Sequence, residues 1–171
     1  MPILSSVARR LKHRFFLDAV LRDDVVLEIG SGDGWVSRYL NGRGVTQVMS
    51  IDVFPPATIV GDIREWKSLG LKAESFDVIV AFEVIEHVDC LNECYSLLRP
   101  GGRILATTPN PPADWILERF ERWKLNQPRT SAHDRLTYLK ETDQFSIEKR
   151  WHPLNLSQWC VLVRKHRNGM N

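Results

Sequence analysis

The chain has 171 residues, of which 43% are hydrophobic and 26% are charged, values that are ordinary for a soluble protein of one domain. Its formal net charge of +2 is too small to indicate a nucleic-acid partner by itself. The three cysteines do not have the spacing of a metal site or a disulfide framework, and no apolar run approaches the roughly 18 residues that a membrane span needs.

The N-terminal segment precedes the first predicted strand. Apolar residues recur there at helical spacing, which predicts an amphipathic helix: Leu4, Val7, Leu11 and Phe15. Four basic residues stand where a signal peptide would need an apolar core: Arg9, Arg10, Lys12 and Arg14. We therefore expect a cytoplasmic protein. The basic cluster could contact a membrane surface or a phosphate-bearing substrate, but we favour a solvated helix face.

Residues 25–34 read V-V-L-E-I-G-S-G-D-G and are the most informative stretch of the chain. The apolar run predicts a buried parallel strand, and Gly30, Gly32 and Gly34 predict a turn whose backbone approaches a ligand closely. A helix beginning at Trp35 would direct its N-terminal amides at that ligand. Trp35 stands where a dinucleotide fingerprint needs its third glycine, and the chain has no Gly-Lys-Ser/Thr of a Walker loop. The loop is therefore typical of a different nucleotide-like cofactor.

Two acids follow this loop, and the first lies at a place that suits an adenosine. Asp52 ends a strand predicted over Val45–Asp52, about twenty residues after the loop, where a carboxylate can accept hydrogen bonds from both ribose hydroxyls. A turn or N-cap acid is the alternative for Asp52. Asp62 follows a short apolar run, and with Glu65 three residues later it is also typical of a helix N-cap.

A third predicted strand runs into F-D-V-I-V-A-F-E-V-I-E-H-V over residues 76–88. The run L-L-R-P-G-G and a fourth strand follow over residues 97–108. Together with E-I-G-S-G-D-G and the two acids, these segments resemble the class I S-adenosylmethionine (SAM) methyltransferases in the same order. The resemblance implies that P-G-G forms the turn before the fourth strand. The resemblance covers residues 25–110, half of the chain.

The resemblance implies an α/β fold, a Rossmann-like three-layer sandwich whose seven-stranded, mostly parallel sheet has an antiparallel last strand. We expect a single SAM-dependent methyltransferase domain over residues 1–171. Its parts would be an N-terminal helix in 1–24, a cofactor-binding core in 25–108, and an acceptor-side segment with the final strands in 109–171. The N-terminal helix would close over the cofactor, as it often does in this family.

The resemblance also implies which residues contact SAM. Glu28 would help to hold the methionine amino group, Asp52 the ribose, and Asp62 the adenine amino group. The full expected set of cofactor-binding residues is Glu28, Gly30, Ser31, Gly32, Gly34, Asp52, Val53, Asp62, Ile63, Phe82 and Glu83.

Catalysis requires little of the protein, because the sulfonium of SAM is already a strong methyl donor. Holding donor and acceptor in line is worth up to roughly 7–11 kcal/mol, and a base that removes an acceptor proton adds about 10²–10⁴-fold. His87 is the first candidate base, with a histidine bonded to backbone as the alternative. His133, in S-A-H-D-R, is the second candidate from the acceptor side. We expect His13 to be incidental.

The segments E-V-I-E-H-V, P-G-G and T-T-P-N are most similar to the O-methyltransferases of ubiquinone biosynthesis, and this similarity ends at Asn110. We therefore predict methyl transfer to a small-molecule acceptor, on oxygen, without a metal. Beyond Asn110, the residues Ile116, Phe120 and Trp123 fit one helical face that could line the acceptor pocket. The oligomeric state is not predicted.

Two alternative functions stay open. The spacing E-x-x-E-H is similar to that of small-RNA 2′-O-methyltransferases, in which Glu83, Glu86, His87 and His133 would hold Mg²⁺ or Mn²⁺. The low net charge argues against an RNA partner. The other alternative is a SAM-binding subunit without activity, although its glycine loop would then be expected to show damage.

Overall fold

A computed structural model of the chain describes residues 3–111 and 138–166. Three α-helices lie within these ranges: α1 (Ile3–Phe15), α2 (Trp35–Gly42) and α3 (Leu91–Leu97). Seven strands form one sheet: β1 (Val26–Ile29), β2 (Val48–Asp52), β3 (Ile59–Val60), β4 (Phe76–Phe82), β5 (Leu98–Pro109), β6 (Phe145–Trp151) and β7 (Ser157–Arg164). None of the described helices has the length and apolarity that crossing a bilayer requires. The predicted helical face at Ile116, Phe120 and Trp123 lies outside the described residues.

The strands are ordered β3-β2-β1-β4-β5-β7-β6 across the sheet. The first five strands along the chain pair in parallel, and β7 runs antiparallel to both β5 and β6. The predicted Rossmann-like sheet with an antiparallel last strand is therefore confirmed. The carboxyl ends of β1, β2 and β4 meet at one edge, where the strand order reverses, and open α/β sheets bind their ligands at such an edge.

Both faces of the sheet are covered, which gives three layers. On one face, Leu27 and Ile79 join the buried residues of α3. On the other face, Val26 and Val78 join α2 and the residues that follow α1. Alternate residues of a strand point to opposite faces, so a strand buried on both sides is apolar throughout. The free cysteines Cys90, Cys94 and Cys160 are all buried.

The structure differs from the predicted strand limits in two places. The second strand begins at Val48 rather than Val45, because the amide of Val45 instead donates to Leu40 O in the turn that closes α2. The predicted Pro-Gly-Gly turn lies within β5, where pairing with β4 skips from Leu98 to Arg103. The turn is thus a bulge in a continuous strand.

The orientation of α1 contradicts the solvated face that we favoured for its basic cluster at two of the four residues. The side chains of Arg9 and Lys12 are only 17% and 12% exposed, although Arg10 and Arg14 are exposed. Arg9 and Lys12 face the protein because each has an acidic partner there, as described below. The helix itself is confirmed at Ile3–Phe15.

Candidate active site

The glycine loop joins the carboxyl end of β1 to α2. Gly30, Gly32 and Gly34 have φ angles of 70°, 50° and 70°, a region that favours glycine. A Cβ on Gly30 would lie 2.5 Å from Val84 Cγ2, so glycine is required there for close packing. A Cβ on Gly32 would meet nothing within 4 Å. The loop therefore presents the backbone of Gly32 to open space, where a ligand can approach it.

Asp52, at the end of β2, lies directly beside this loop. Its Oδ2 accepts a hydrogen bond of 2.9 Å from the Gly32 amide, and its Oδ1 accepts one of 3.1 Å from the Phe54 amide. The second bond fits the turn role that was the alternative for Asp52. The next two side chains, Val53 and Phe54, are 57% and 71% exposed. A carboxylate next to exposed apolar surface suits a ribose joined to a flat base, and the sequence analysis did not single out Phe54.

Asp62 caps the short 3₁₀ turn Ile63–Glu65, as the N-cap alternative predicted. Its carboxylate accepts a bond of 2.9 Å from the Arg64 amide and two of 3.0 Å from Arg64 Nε. The hydrogen bonds and charge of Arg64 hold the pKa of Asp62 below its usual value. Pairing of Asp52 with Val60 across β2 and β3 brings Asp62 to the same edge of the sheet as Asp52.

Glu28 is buried in β1 beneath the loop, with 3% of its surface exposed. Its Oε2 accepts a bond of 3.2 Å from the Ser37 amide and a second bond from the Ser37 hydroxyl. Burial raises the pKa of Glu28, while the bonds from Ser37 oppose that shift. Glu28 therefore anchors the first turn of α2 to β1, and with it the end of the glycine loop. Ser31, at the centre of the loop, is also buried.

Phe82 and Glu83 stand where β4 ends. Glu83 has a φ of 56°, uncommon for a residue with a side chain, and such backbone strain is concentrated at functional sites. Its Oε1 accepts a bond of 2.7 Å from Thr107 Oγ1 and lies 3.2 Å from Lys12 Nζ. Burial opposes ionisation, but Lys12 and Thr107 outweigh it and hold the pKa of Glu83 below its usual value. The Lys12 ammonium also lies 4.9 Å from the centre of the Phe82 ring.

Glu86 is fully buried, and neither of its carboxyl oxygens has a hydrogen-bond partner in the described part of the chain. Burial and the charge of Glu83 raise the pKa of Glu86 to about 8. Glu86 is therefore predominantly protonated at neutral pH while Glu83 is ionised. Two carboxyl groups of one motif thus carry different charges because one has a cation beside it and the other does not.

The two candidate bases differ in what is known of their position. His87 lies half-buried in the turn after β4, and its amide donates 2.9 Å to Val84 O. This backbone bond fits the structural alternative for His87. His133 lies outside the described residues. The described residues contain no group of three or more His, Cys, Asp or Glu side chains that could hold a metal ion.

The N-terminal helix contributes residues to this edge that the sequence analysis did not predict. Arg9 Nη2 lies 2.9 Å from Asp33 Oδ2 in the glycine loop, and its guanidinium lies 5.1 Å from the Trp35 ring centre. His13, expected to be incidental, stacks on Tyr39 with ring centres 3.7 Å apart, and burial lowers its pKa. Lys12, through its ion pair with Glu83, makes the third contact between α1 and this edge. Positions 9, 12 and 13 share one helix face, and the polar side chains at that spacing could have revealed the contact.

This arrangement fits an adenosine-containing cofactor along the carboxyl edge of the sheet. Similarity to known proteins supports the same cofactor. A family model described as a methyltransferase domain matches residues 3–159. The chain belongs to the class I SAM-dependent methyltransferases. The family, its cofactor and its fold were therefore predicted correctly from the sequence.

Curated relatives of this methyltransferase are longer than the chain. A probable SAM-dependent methyltransferase from Mycolicibacterium smegmatis is 34% identical over 161 residues, covering 83% of this chain and 57% of that protein. A ubiquinone biosynthesis O-methyltransferase from Pseudomonas fluorescens is 29% identical over 103 residues, covering 50% of this chain and 44% of that protein. The chain thus spans about half the length of these relatives.

Solved structures share the fold. The PH0226 protein from Pyrococcus horikoshii superposes with a TM-score of 0.63 at 16% identity, covering 94% of this chain and 91% of its own. A putative type 11 methyltransferase from Sulfolobus solfataricus gives 0.59 at 19% identity, covering 96% and 95%. At such identities the likeness concerns the fold alone.

Proposed function

We propose that this protein transfers a methyl group from SAM to an oxygen atom of a small-molecule acceptor. The observation that carries the proposal is the open backbone at Gly32, held beside the Asp52 carboxylate by a 2.9 Å hydrogen bond. An open glycine next to a fixed carboxylate fits the ribose and the chain that joins it to the sulfonium. SAM, when bound, supplies an electrophilic methyl carbon and a thioether leaving group.

Different residues along this edge would bind different parts of SAM. Asp52 would accept hydrogen bonds from the ribose hydroxyls, with Val53 and Ile63 beside the adenine and Asp62 within its reach. Gly30, Ser31, Gly32 and Gly34 would supply the backbone that approaches the cofactor closely. Glu28, beneath the loop, would help to hold the methionine amino group. Phe82 and Glu83 would lie near the methionine end, where the ionised carboxylate of Glu83 attracts a cationic group.

Transfer to oxygen requires an in-line approach and the removal of one proton. The acceptor oxygen forms the new bond to the methyl carbon as the carbon–sulfur bond breaks, and its proton passes to a base. We assign that base to His87, with His133 as the second candidate. An O-methylation is supported by the relatives named ubiquinone biosynthesis O-methyltransferase, although these match only half of the chain.

The metal-dependent RNA alternative receives no support from the described residues. Lys12 lies 3.2 Å from Glu83, so a cation already occupies the place beside the first of the four expected ligands. The alternative of an inactive SAM-binding subunit is not supported either, because the glycine loop is intact in the sequence.

Methyl transfer tests these alternatives directly. The protein is incubated with methyl-labelled SAM and a panel of phenols, catechols, amines and short RNAs, with and without EDTA. We expect the label to appear on a phenol or a catechol, to the same extent with and without EDTA. Label confined to RNA and abolished by EDTA would replace the proposal with the metal-dependent one. Cofactor binding with no transfer to any class would favour a binding subunit.

A further inference from the structure

The side of α1 that faces the protein is unusually charged for a surface helix, and two large apolar residues lie on its outer side. A surface helix turns its apolar side to the core and its charged side to water. In α1, the side chains of Arg9 and Lys12 face the protein, at 17% and 12% exposure. Val7 and Leu11 on the outer side are 48% and 37% exposed. Charged contacts therefore hold the inner side of the helix, and two large apolar side chains lie on its outer side.

Apolar residues form a continuous strip along one side of α1. Val7, Leu11 and Phe15 are each four residues apart, so they follow that side over about 12 Å. Val7 and Leu11 are exposed, whereas Phe15 is half-buried and packs against the core cluster that contains α2. Trp151 at the end of β6 extends the line, with its ring centre 5.8 Å from that of Phe15 and 39% of its surface exposed. We call these four residues, Val7, Leu11, Phe15 and Trp151, the outer strip. Residues in the described part of the chain leave Val7 48% exposed and Leu11 37% exposed.

Basic side chains border the outer strip. Arg10 and Arg14 are exposed on α1. Lys149, also exposed, places its ammonium 4.0 Å from the centre of the Phe15 ring. The chain has no Asp or Glu before Asp18, so nothing on α1 itself offsets these charges. We call Arg10, Arg14 and Lys149 the basic border.

An apolar helix face bordered by cations is complementary to an anionic lipid surface. Such a helix lies in the interface with its apolar side among the acyl chains and its basic residues among the phosphates, and tryptophan favours the same depth. A second copy of this chain would bring the same positive border against itself, which favours a lipid surface over a dimer as the occupant.

We propose that the outer strip and the basic border dock this protein reversibly on an anionic phospholipid bilayer. The inner side of α1 lies over the cofactor loop through Arg9 and over the end of β4 through Lys12. Docking would therefore place the cofactor site about one helix diameter, roughly 10 Å, from the headgroups. The proposal does not depend on which atom is methylated.

Vesicle co-sedimentation tests the docking. The protein is mixed with vesicles of phosphatidylcholine alone, or of phosphatidylcholine with phosphatidylglycerol, at low and at high salt. We expect binding to the anionic vesicles at low salt and its loss at high salt, because the attraction is screened. Arg10→Gln with Arg14→Gln should weaken binding roughly thirtyfold, and Val7→Gln with Leu11→Gln roughly tenfold or more. Leu21→Gln, at a 62% exposed leucine outside α1, should have no effect.

Thermal unfolding and S-adenosylhomocysteine affinity of each variant separate docking from folding and from the proposed function. Both should match the unmodified protein, because none of these four positions contacts the cofactor edge. Three results would overturn the proposal: absence of binding to anionic vesicles, binding that Val7→Gln with Leu11→Gln leaves unchanged, or a dimer in solution that the same double variant dissociates.

Discussion

The ammonium of Lys12 lies 3.2 Å from Oε1 of Glu83, so an ion pair joins the N-terminal helix to the carboxyl end of β4. The pair unites a residue that the sequence analysis assigned to a solvated face with one that it assigned to the cofactor. It also accounts for the lowered pKa of Glu83, because the Lys12 charge stabilises the ionised carboxylate. Several expected outcomes depend on this edge of the sheet.

The Lys12–Glu83 pair should show a measurable coupling in a double-mutant cycle. Because the Glu83 side chain is 44% exposed, solvent screens the pair, and we expect about 0.2–1 kcal/mol between Lys12→Met and Glu83→Gln. Urea unfolding of the two single variants and the double variant gives this quantity. Arg10→Met, at an exposed position of the same helix, should be additive with Glu83→Gln. Additivity of the Lys12 and Glu83 variants would mean that the pair does not hold α1 in solution.

Glu86 should make the folded state less stable as the pH rises. Its pKa is raised from 4.5 to about 8, so between these values the folded state holds a proton that the unfolded state has released. The free energy of unfolding should therefore fall across that window. Glu86→Gln should flatten the profile and stabilise the protein at the upper end by about 1 kcal/mol or more.

Denaturant unfolding at a series of pH values checks this prediction, with Glu148→Gln at an exposed position of β6 as the control. Glu83 contributes with the opposite sign, because its pKa is lowered and its stabilisation is lost only as the medium becomes acidic. The two groups therefore act in separate pH ranges. An unchanged slope in Glu86→Gln would show that Glu86 is ionised in the folded protein.

Much of this edge was predictable from local sequence. The glycine loop, the strand before it and Asp52 belong to short segments whose spacing fixes their geometry. The parallel sheet then brings Asp52 to Gly32 without further information. The N-cap role of Asp62 was likewise visible from residues one turn apart.

The orientation of α1 was not predictable in the same way. Helical spacing of Val7 and Leu11 shows an apolar side, and burial of that side is the ordinary outcome. Here the contacts of Arg9 with Asp33 and of Lys12 with Glu83 decide the orientation, and both partners are distant in sequence. The neutral state of Glu86 has a similar origin, since the repeat E-x-x-E does not show which carboxyl group lies beside a cation. His133 stays a prediction.

Gly32→Val should abolish cofactor binding without unfolding the protein. Its Cβ would meet no protein atom within 4 Å but would enter the space beside Asp52, and its φ of 50° makes the change strained. Gly70→Val is the matched control, since Gly70 also has a positive φ, of 81°, and open space around its Cβ. We expect similar losses of stability in the two variants and loss of S-adenosylhomocysteine binding in Gly32→Val alone. Retained affinity would contradict the loop assignment.

His87→Ala should slow methyl transfer while leaving cofactor affinity unchanged. A positioned base contributes about 10²–10⁴-fold, so the rate constant of a single turnover with saturating SAM should fall by that order. His166→Ala, at an exposed histidine beyond β7, is the control. A rate equal to that of the unmodified protein would assign His87 a structural role.

The central claim, a cofactor held at the glycine loop and Asp52, is tested most directly by calorimetric titration with S-adenosylhomocysteine. We expect saturable binding of one equivalent, no heat with NAD⁺, and roughly 10–100-fold weaker binding in Asp52→Ala, since hydrogen bonds to a charged group are worth about 1.5–3 kcal/mol. Absence of binding by the unmodified protein, or binding that Asp52→Ala leaves unchanged, would contradict the account.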